Sequence, residues 1–184
     1  MSPELFFARA VPAALRGGHL WPAYACAEAA EESAWGESKL AKYYNNLFGQ
    51  KYPENPPPGF AYPRIKLATW EVVNGQRQEL VAQQAPYWPV FPGWAVSFSE
   101  RMALLRRLAG ARGQDGSLLF PGYAAAIRAA SGEEFVASVS RDWSTDPRRA
   151  DNVLAIYRQH ANLLENLVTQ QQEILHGQPG IQLA

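Results

Sequence analysis

An alanine-rich segment that ends in a sharp break constrains the fold of this chain more than any other feature. Five alanines lie between residues 23 and 30, and residues 34–36 read Ala-Trp-Gly. Alanine has the highest helix propensity, and its small side chain lets neighbouring elements pack closely. We therefore expect a closely packed helix over residues 21–33 that Gly36 breaks, with Glu32 where the helix meets the break.

Glu32 has two interpretations at this point. The first is a glutamate on a solvated helix face. Glu28 lies four residues earlier on the same side of the helix, and like charges at that spacing cost about 0.2–0.5 kcal/mol. Trp35 lies one turn further on and favours the second interpretation. A carboxyl that is partly shielded from water by an indole keeps a proton available near neutral pH, as the general acid of a glycosidase must.

The rest of the chain predicts a mostly helical protein with one small β-hairpin, an α+β fold. Asn74-Gly75 is a strong two-residue turn signal between strand-like residues 65–73 and a returning strand within 76–83. A proline-stiffened loop precedes it at 51–63. Apolar periodicity, caps and glycine stops predict the other helices at 3–17 with a kink or break at Pro12, 38–44, 97–108, 120–131, 132–141, and from a start at 143–147 to Gly177.

Glu71 interrupts the apolar alternation of the first predicted strand, on the face that carries Ile65, Leu67 and Val73. One interpretation is an edge-strand charge that prevents aggregation. The other is a second carboxylate, carried by the hairpin over a cleft, that activates a water or stabilises an oxocarbenium-like transition state. The residues alone leave both open.

Composition narrows the class of protein. The length of 184 residues suits one domain, which we expect at 1–177 with a loose tail at 178–184. The formal net charge of zero gives no sign of a nucleic-acid partner. No apolar run is long enough for membrane insertion, and the N-terminus lacks the basic region of a secretory signal.

Few other chemistries suit the sequence. Cys26 is the only cysteine, so an internal disulfide or a Cys-rich zinc site is excluded, and it resembles a small buried filler. His19, His160 and His176 are scattered and are expected to be capping or surface residues. Nucleotide-binding, nucleophile-elbow and HExxH motifs are missing from the sequence, so we expect no cofactor and no metal.

Five ordered blocks resemble glycoside hydrolase family 73, the endo-β-N-acetylglucosaminidases that cut peptidoglycan, among them the hydrolase domain of the flagellar rod-cap protein. The first block resembles the pattern A-x-E-S-x-W-G-x-S-x-L-A…N-N-L-F-G of the family, and the second resembles T-x-E-x-x-N-G. The blocks lie at Ala30–Gly49, Thr69–Gly75, Phe91–Trp94, Tyr123–Ala125 and Asp142–Ala150. The resemblance implies a lysozyme-like helical domain with a small hairpin lobe.

The resemblance also implies roles for individual residues. Glu32 corresponds to the general acid, which protonates the glycosidic oxygen between N-acetylglucosamine and N-acetylmuramic acid. Glu71 corresponds to the second carboxylate on the hairpin lobe. The positions expected to contact the glycan strand are Trp35, Asn46, Phe48, Trp70 and Trp143.

Trp143 departs from the family pattern, because a functionally important tyrosine is usual at that position. An indole can stack on a sugar but has no phenolic hydroxyl to orient a water or an acetamide. The second tyrosine of the same block is Arg149 here, and Tyr123 or Tyr157 are the candidates to compensate. A lytic transglycosylase and a non-catalytic wall-binding module are therefore alternatives to the glucosaminidase.

The expected substrate lies in the periplasm or cell wall, yet no signal sequence is recognisable. A phage lysin, a secreted antibacterial toxin or a flagellar export substrate would each fit. The expected partners are peptidoglycan glycan strands and, for a toxin, an immunity protein or a component of the delivery machine.

Overall fold

A computed structural model describes residues 1–73, 76–80 and 85–177, with the backbone but not the side chains of 69–73 and 76–80. The helices are α1 Pro3–Arg16, α2 Pro22–Ser33, α3 Lys39–Tyr44, α4 Trp94–Ala109, α5 Pro121–Ala126, α6 Gly132–Trp143 and α7 Arg149–Gly177. The strands are β1 Arg64–Lys66, β2 Thr69–Val73, β3 Gln76–Leu80 and β4 Tyr87–Pro89. This is the predicted α+β architecture, dominated by helices. The expected tail at 178–184 lies outside the described residues.

α1 is one helix with Pro12 in its interior, not two short helices. Ser2 caps its first turn by accepting a hydrogen bond from the Leu5 N–H. The face that includes Phe6, Phe7 and Val11 is fully buried. Burial of this face holds the turns on both sides of the proline against the rest of the protein.

The predicted strand over 65–73 is wrong, because the structure divides it into β1 and β2. β1 pairs antiparallel with β4, whereas β2 pairs antiparallel with β3. The indole N–H of Trp88 donates to the Leu67 carbonyl at 3.0 Å, so a side chain occupies this backbone acceptor where the two strands separate. β2 and β3 form the predicted hairpin, while its Asn74-Gly75 turn and residues 81–83 of the predicted return lie outside the described residues.

The alanines of α2 lie at the centre of the protein. Two hydrophobic clusters meet there, one built from α1, α2, α4 and α7, and the other from α4, α5, α6 and α7. Each of the five alanines is at most 5% exposed, as expected for a helix that its neighbours approach closely. Cys26 is also buried among them and free, and burial raises the pKa of its thiol.

The boundary between α6 and α7 differs from the prediction. Trp143 ends α6 and does not begin the next helix, which starts at Arg149. The intervening turn is held locally, since Ser144 Oγ accepts from the Asp146 N–H and Asp146 Oδ1 accepts from the Arg148 N–H. Tertiary packing explains the shift, because the Trp143 ring packs against both hydrophobic clusters and so extends α6 into the core.

Among residues 1–73, 76–80 and 85–177, no helix combines the length and the apolar character that crossing a membrane requires. Within the same ranges, no group of three or more His, Cys, Asp or Glu side chains is arranged to hold a metal ion.

Candidate active site

The chain reverses direction immediately after Glu32. Ser33 Oγ donates to the Ala29 carbonyl and accepts from the Gly36 N–H at 2.8 Å, which closes the end of α2. Ala34, Trp35 and Gly36 then adopt positive φ angles of 50°, 58° and 78°. Two consecutive non-glycine residues in this region are unusual, and the hydrogen bonds to Ser33 and the packing of Trp35 against α1 hold them there. Glu32 is thereby fixed on the last turn of a buried helix, with 23% of its side chain exposed.

Glu32 lies on the wall of a cleft of about 490 Å³. The cleft runs between the end of α2, the segment that follows α3, and helices α4 to α6. It adjoins two further depressions, one lined by the Pro57–Phe60 loop and the other by Tyr52, Arg64 and Tyr87. The residues that line the cleft are Glu32, Phe48, Gly49, Gln50, Lys51, Tyr52, Pro53, Leu104, Arg107, Leu108, Tyr123 and Trp143.

The buried guanidinium of Arg149 holds the Glu32 carboxylate from behind. Arg149 Nε donates to Glu32 Oε1 at 2.7 Å. Its other nitrogens donate to Ser140 Oγ at 2.8 Å and to Glu28 Oε1 at 3.0 Å. Arg149 is only 4% exposed, so water competes little for these contacts. One side chain thus joins the candidate acid to the protein interior.

Glu28 and Arg101 complete a buried charge network behind the cleft. Both side chains are fully buried, and Arg101 Nη2 donates to Glu28 Oε1 at 3.0 Å. The Arg101 guanidinium carbon lies 3.8 Å from the Trp143 ring centroid and 4.6 Å from that of Phe48. Among the described residues, Arg101 Nε and Nη1 have no hydrogen-bond partner, and the two π faces take that place.

The network contains the guanidinium groups of Arg101 and Arg149 and the carboxyl groups of Glu28 and Glu32. Burial by itself would raise the pKa of Glu28, but the neighbouring cations of Arg101 and Arg149 outweigh burial and hold that pKa below its usual value. Burial would likewise lower the pKa of Arg149, and its two carboxylate partners raise it instead. Glu28 and Arg149 are therefore charged throughout the neutral range.

This charge network is inconsistent with the solvated helix face that one interpretation assigned to Glu28 and Glu32. Glu28 lies inside the protein and not on a solvated helix face. Its like-charge contact with Glu32 is bridged by the shared cation of Arg149.

Two of the predicted contact residues shape the cleft wall. Phe48 lines the cleft, although it is only 1% exposed and packs against Phe98 with ring centroids 5.3 Å apart. Asn46 is not among the lining residues. Its amide donates to the Gln50 carbonyl at 2.8 Å and its Oδ1 accepts from the Gln50 N–H at 3.0 Å. Asn46 thus closes the turn that presents residues 48–50 to the cleft.

The remaining predicted positions are more dispersed. Trp35 packs edge-on against Phe6 and Phe7 of α1, and it does not line the cleft. Trp143 does line it, with Arg101 against its ring. Trp70 and Glu71 lie in β2, and their side chains are outside the described part of the chain.

The two candidate tyrosines lie in different places. Tyr123 lines the same cleft as Glu32 and Trp143, and burial raises its pKa. Tyr157 stacks on Tyr24 at 3.8 Å between ring centroids and lines a separate depression between α2, α6 and α7. Of the two, only Tyr123 therefore lines the cleft that contains Glu32.

Sequence reasoning missed Arg101 and the partners of Arg149. One local signal was present, since Arg101 shares its helical face with Ser97, Phe98, Met102 and Leu105, all of which are buried. A charged residue within a buried helical stripe needs a buried partner of opposite charge. No local signal paired it with Glu28, which lies 73 residues away in the chain.

Solved structures share this fold. The chain resembles a peptidoglycan hydrolase mutant from Sphingomonas sp. A1 with a TM-score of 0.65 and 22% identity over 91% of this chain and 99% of that one. The truncated glycoside hydrolase domain of Salmonella typhimurium FlgJ has a TM-score of 0.58 and 24% identity, over 88% of this chain and 99% of that one. The catalytic domain of the autolysin Auto from Listeria monocytogenes has a TM-score of 0.62 and 21% identity, over 90% of this chain and 89% of that one. No curated protein matches the chain significantly.

A family profile is more specific than these fold similarities. Residues 8–162 match the profile named Glucosaminidase, described as mannosyl-glycoprotein endo-beta-N-acetylglucosaminidase. The match covers most of the chain and includes all the described members of the Glu32 cleft and of the charge network behind it. The chain therefore belongs to the glucosaminidase family of glycoside hydrolases, as its resemblance to family 73 predicted.

Proposed function

We propose that this protein hydrolyses peptidoglycan by cleaving the β-1,4 bond between N-acetylglucosamine and N-acetylmuramic acid. Glu32 acts as the general acid and Glu71 as the second carboxylate. The proposal depends chiefly on one observation, the partly exposed Glu32 carboxyl on the wall of a 490 Å³ cleft, fixed at the end of a buried helix. The related folds include proteins named as peptidoglycan hydrolases and an autolysin, which supports this substrate class.

The shape and lining of the cleft suit a glycan strand. Aromatic and apolar side chains on its wall, including Phe48, Tyr52 and Trp143, offer flat surfaces to the C–H faces of sugar rings. The two adjoining depressions extend the site beyond one sugar, as an endo-acting enzyme requires. Lys51 and Arg107 add positive charge near the acidic substituents of peptidoglycan.

In the first step, Glu32 transfers its proton to the glycosidic oxygen as the bond to the anomeric carbon breaks. The positive charge that develops on the sugar ring is stabilised by the Glu71 carboxylate, which we place over the cleft on the β2–β3 hairpin. Glu71 then takes a proton from the attacking water, or the acetamido group of the substrate assists. Tyr123, which lines the cleft, orients that water or that acetamide.

The test is muropeptide analysis of purified sacculi digested by the wild type, Glu32→Gln and Glu71→Gln. We expect new reducing ends at N-acetylglucosamine with the wild type, and a loss of about 100-fold or more with either variant. Glu133→Gln is the matched control, because Glu133 is an exposed glutamate whose only ion pair among the described residues is with Arg158 at the surface. Native-rate release of reducing ends by Glu32→Gln would show that another group is the acid.

Two further readouts separate the alternative chemistries. Anhydromuramic ends in the digest would identify a lytic transglycosylase instead of a hydrolase. Proton NMR of the first product anomer would assign the second step, because inversion indicates a water directed by Glu71 and retention indicates a covalent or acetamido-assisted route.

The other expectations stay predictions. They are a single catalytic domain over 1–177, action in the periplasm or cell wall, and an immunity protein or delivery-machine component as a partner. A phage lysin and an antibacterial toxin both fit the activity that we propose.

A further inference from the structure

Arg149 occupies the position where the family pattern has a tyrosine, and it contacts the proposed acid directly. All three of its guanidinium nitrogens donate hydrogen bonds, to Glu32, Ser140 and Glu28. A planar guanidinium held at three points has one orientation, and its side chain is almost entirely buried. Glu32 therefore meets a rigid donor that is built into the core.

The contact uses one carboxyl oxygen of Glu32. Arg149 Nε approaches Oε1, so Oε2 is the oxygen that carries the transferable proton. The bond to Oε1 survives both protonation states, because Oε1 is an acceptor in the acid and in the carboxylate. Arg149 can thus keep the carboxyl aimed at the cleft throughout the reaction.

The charge of Arg149 also favours proton transfer. Glu32 becomes negative as it releases its proton, and a cation 2.7 Å from Oε1 stabilises that developing charge. An unopposed cation would withhold the proton from Glu32 before the substrate arrives. Glu28 counters this effect, because its buried carboxylate shares the same guanidinium.

We propose that Arg149 is a positioning residue that aims Glu32 through Oε1 and, balanced by Glu28, sets the pH range in which Glu32 can donate a proton. This inference rests on the proposed function. The charged or titratable groups that surround Glu32 come from every element packed around it. They are Glu28 and Glu31 of α2, Lys51 and Tyr52 of the segment after α3, Arg101 and Arg107 of α4, Tyr123 of α5, Asp146 of the 144–148 turn and Arg149 of α7.

The experiment compares pH–rate profiles of Arg149→Met, Arg149→Lys and the control Arg148→Met. Arg148 is the neighbouring residue, also cationic, but it is 79% exposed and pairs only with Asp146 in the described structure. Removal of the Arg149 charge should move the descending limb to higher pH by about one unit. It should also lower kcat at least about tenfold, with KM unchanged within about twofold.

Arg149→Lys separates charge from geometry. It should keep the descending limb within about 0.3 pH units of the wild type, because the charge remains, yet show a kcat about tenfold lower, because an ammonium cannot reproduce the three-point fork. Arg148→Met should match the wild type in both respects. The inference is wrong if Arg149→Met and Arg148→Met give the same profile, or if Arg149→Lys has the wild-type kcat.

Two possible outcomes require a further variant or measurement. If Arg149→Met does not fold, Arg149→Lys and Ser140→Ala still test the geometry, since each should lower kcat without moving KM. If Glu32→Gln retains activity, the proposed acid is wrong, but the inference about Arg149 can still be judged. Carbon-13 NMR titration of the Glu32 carboxyl should then differ between the wild type and Arg149→Met, and identical curves would overturn the coupling.

Discussion

The buried imidazole of His19 predicts a specific loss of stability in mild acid. His19 is 5% exposed, lies between Phe98 and Phe135, and accepts a hydrogen bond from the Trp21 N–H at Nδ1. Burial lowers its pKa from 6.5 to about 3, an effect that Glu28 opposes and Arg101 reinforces. Its Nε2 has no hydrogen-bond partner among the described residues. The folded protein therefore keeps this ring neutral in conditions where the unfolded chain protonates it.

The sign and size follow from proton linkage. As pH falls below 6.5, the unfolded state binds a proton at His19 that the folded state does not, so unfolding becomes easier. Each pH unit costs about 1.4 kcal/mol until the pH approaches 3. Between pH 7 and pH 5, His19 should therefore reduce the free energy of unfolding by about 2 kcal/mol. This window lies above the range in which the depressed pKa of Glu28 contributes, because that stability is lost only below pH 4.5.

Urea unfolding at pH 7, 6 and 5 measures the effect, with His19→Asn and His176→Asn as the matched pair. Asparagine can retain an acceptor for the Trp21 N–H but cannot titrate. His19→Asn loses the ring and should be less stable than the wild type at pH 7. Its free energy of unfolding should nevertheless decrease by about 2 kcal/mol less than that of the wild type between pH 7 and pH 5. His176 is exposed near the end of α7, and its replacement should leave the fall intact. Equal pH dependence in His19→Asn and the wild type would refute the reasoning.

Three further substitutions test the proposed active site and the parts of the fold that support it. Tyr123→Phe should lower kcat on sacculi about 100-fold with little change in melting temperature, if its hydroxyl orients the water or acetamide; an unchanged kcat would exclude that role. Glu28→Gln should cost about 3–5 kcal/mol in urea unfolding, because two buried guanidinium groups lose their shared carboxylate, whereas the exposed Glu133→Gln should cost little. Ala34→Gly should raise the free energy of unfolding by about 0.5–1 kcal/mol, since Ala34 is exposed and left-handed with φ 50°; a loss of stability would contradict this.

Trp143 and Arg149, at the two positions where the resemblance to family 73 leads us to expect tyrosines, lie in the same part of the structure. Trp143 covers the buried Arg101 guanidinium, and Arg149 joins Glu28 to Glu32. Both residues belong to one charge network behind the cleft. Trp143 and Arg149 are therefore best understood together, as parts of a site that holds the proposed acid by an arginine.

The local features of this protein could be predicted from its sequence. The alanine-rich helix, the break after Ser33, the short helix before the Asn-Asn turn and the long final helix all depend on propensity, caps and periodicity within a few residues. Those same features placed Glu32 at the end of a rigid helix. The family resemblance added the fold and the enzyme class, because its blocks are ordered along the chain.

Tertiary structure determined the strand pairing and the environment of Glu32. The division of one predicted strand into β1 and β2 depends on pairing with β4 and on an indole that takes the Leu67 carbonyl. The environment of Glu32 depends on Arg149, which lies 117 residues later in the chain. Burial and ion pairing are set by distances between elements, and a pattern read along one helix contains no such distances. The sequence alone could therefore locate the candidate acid, but only the packing of α2 against α4 and α7 could show how its charge is held.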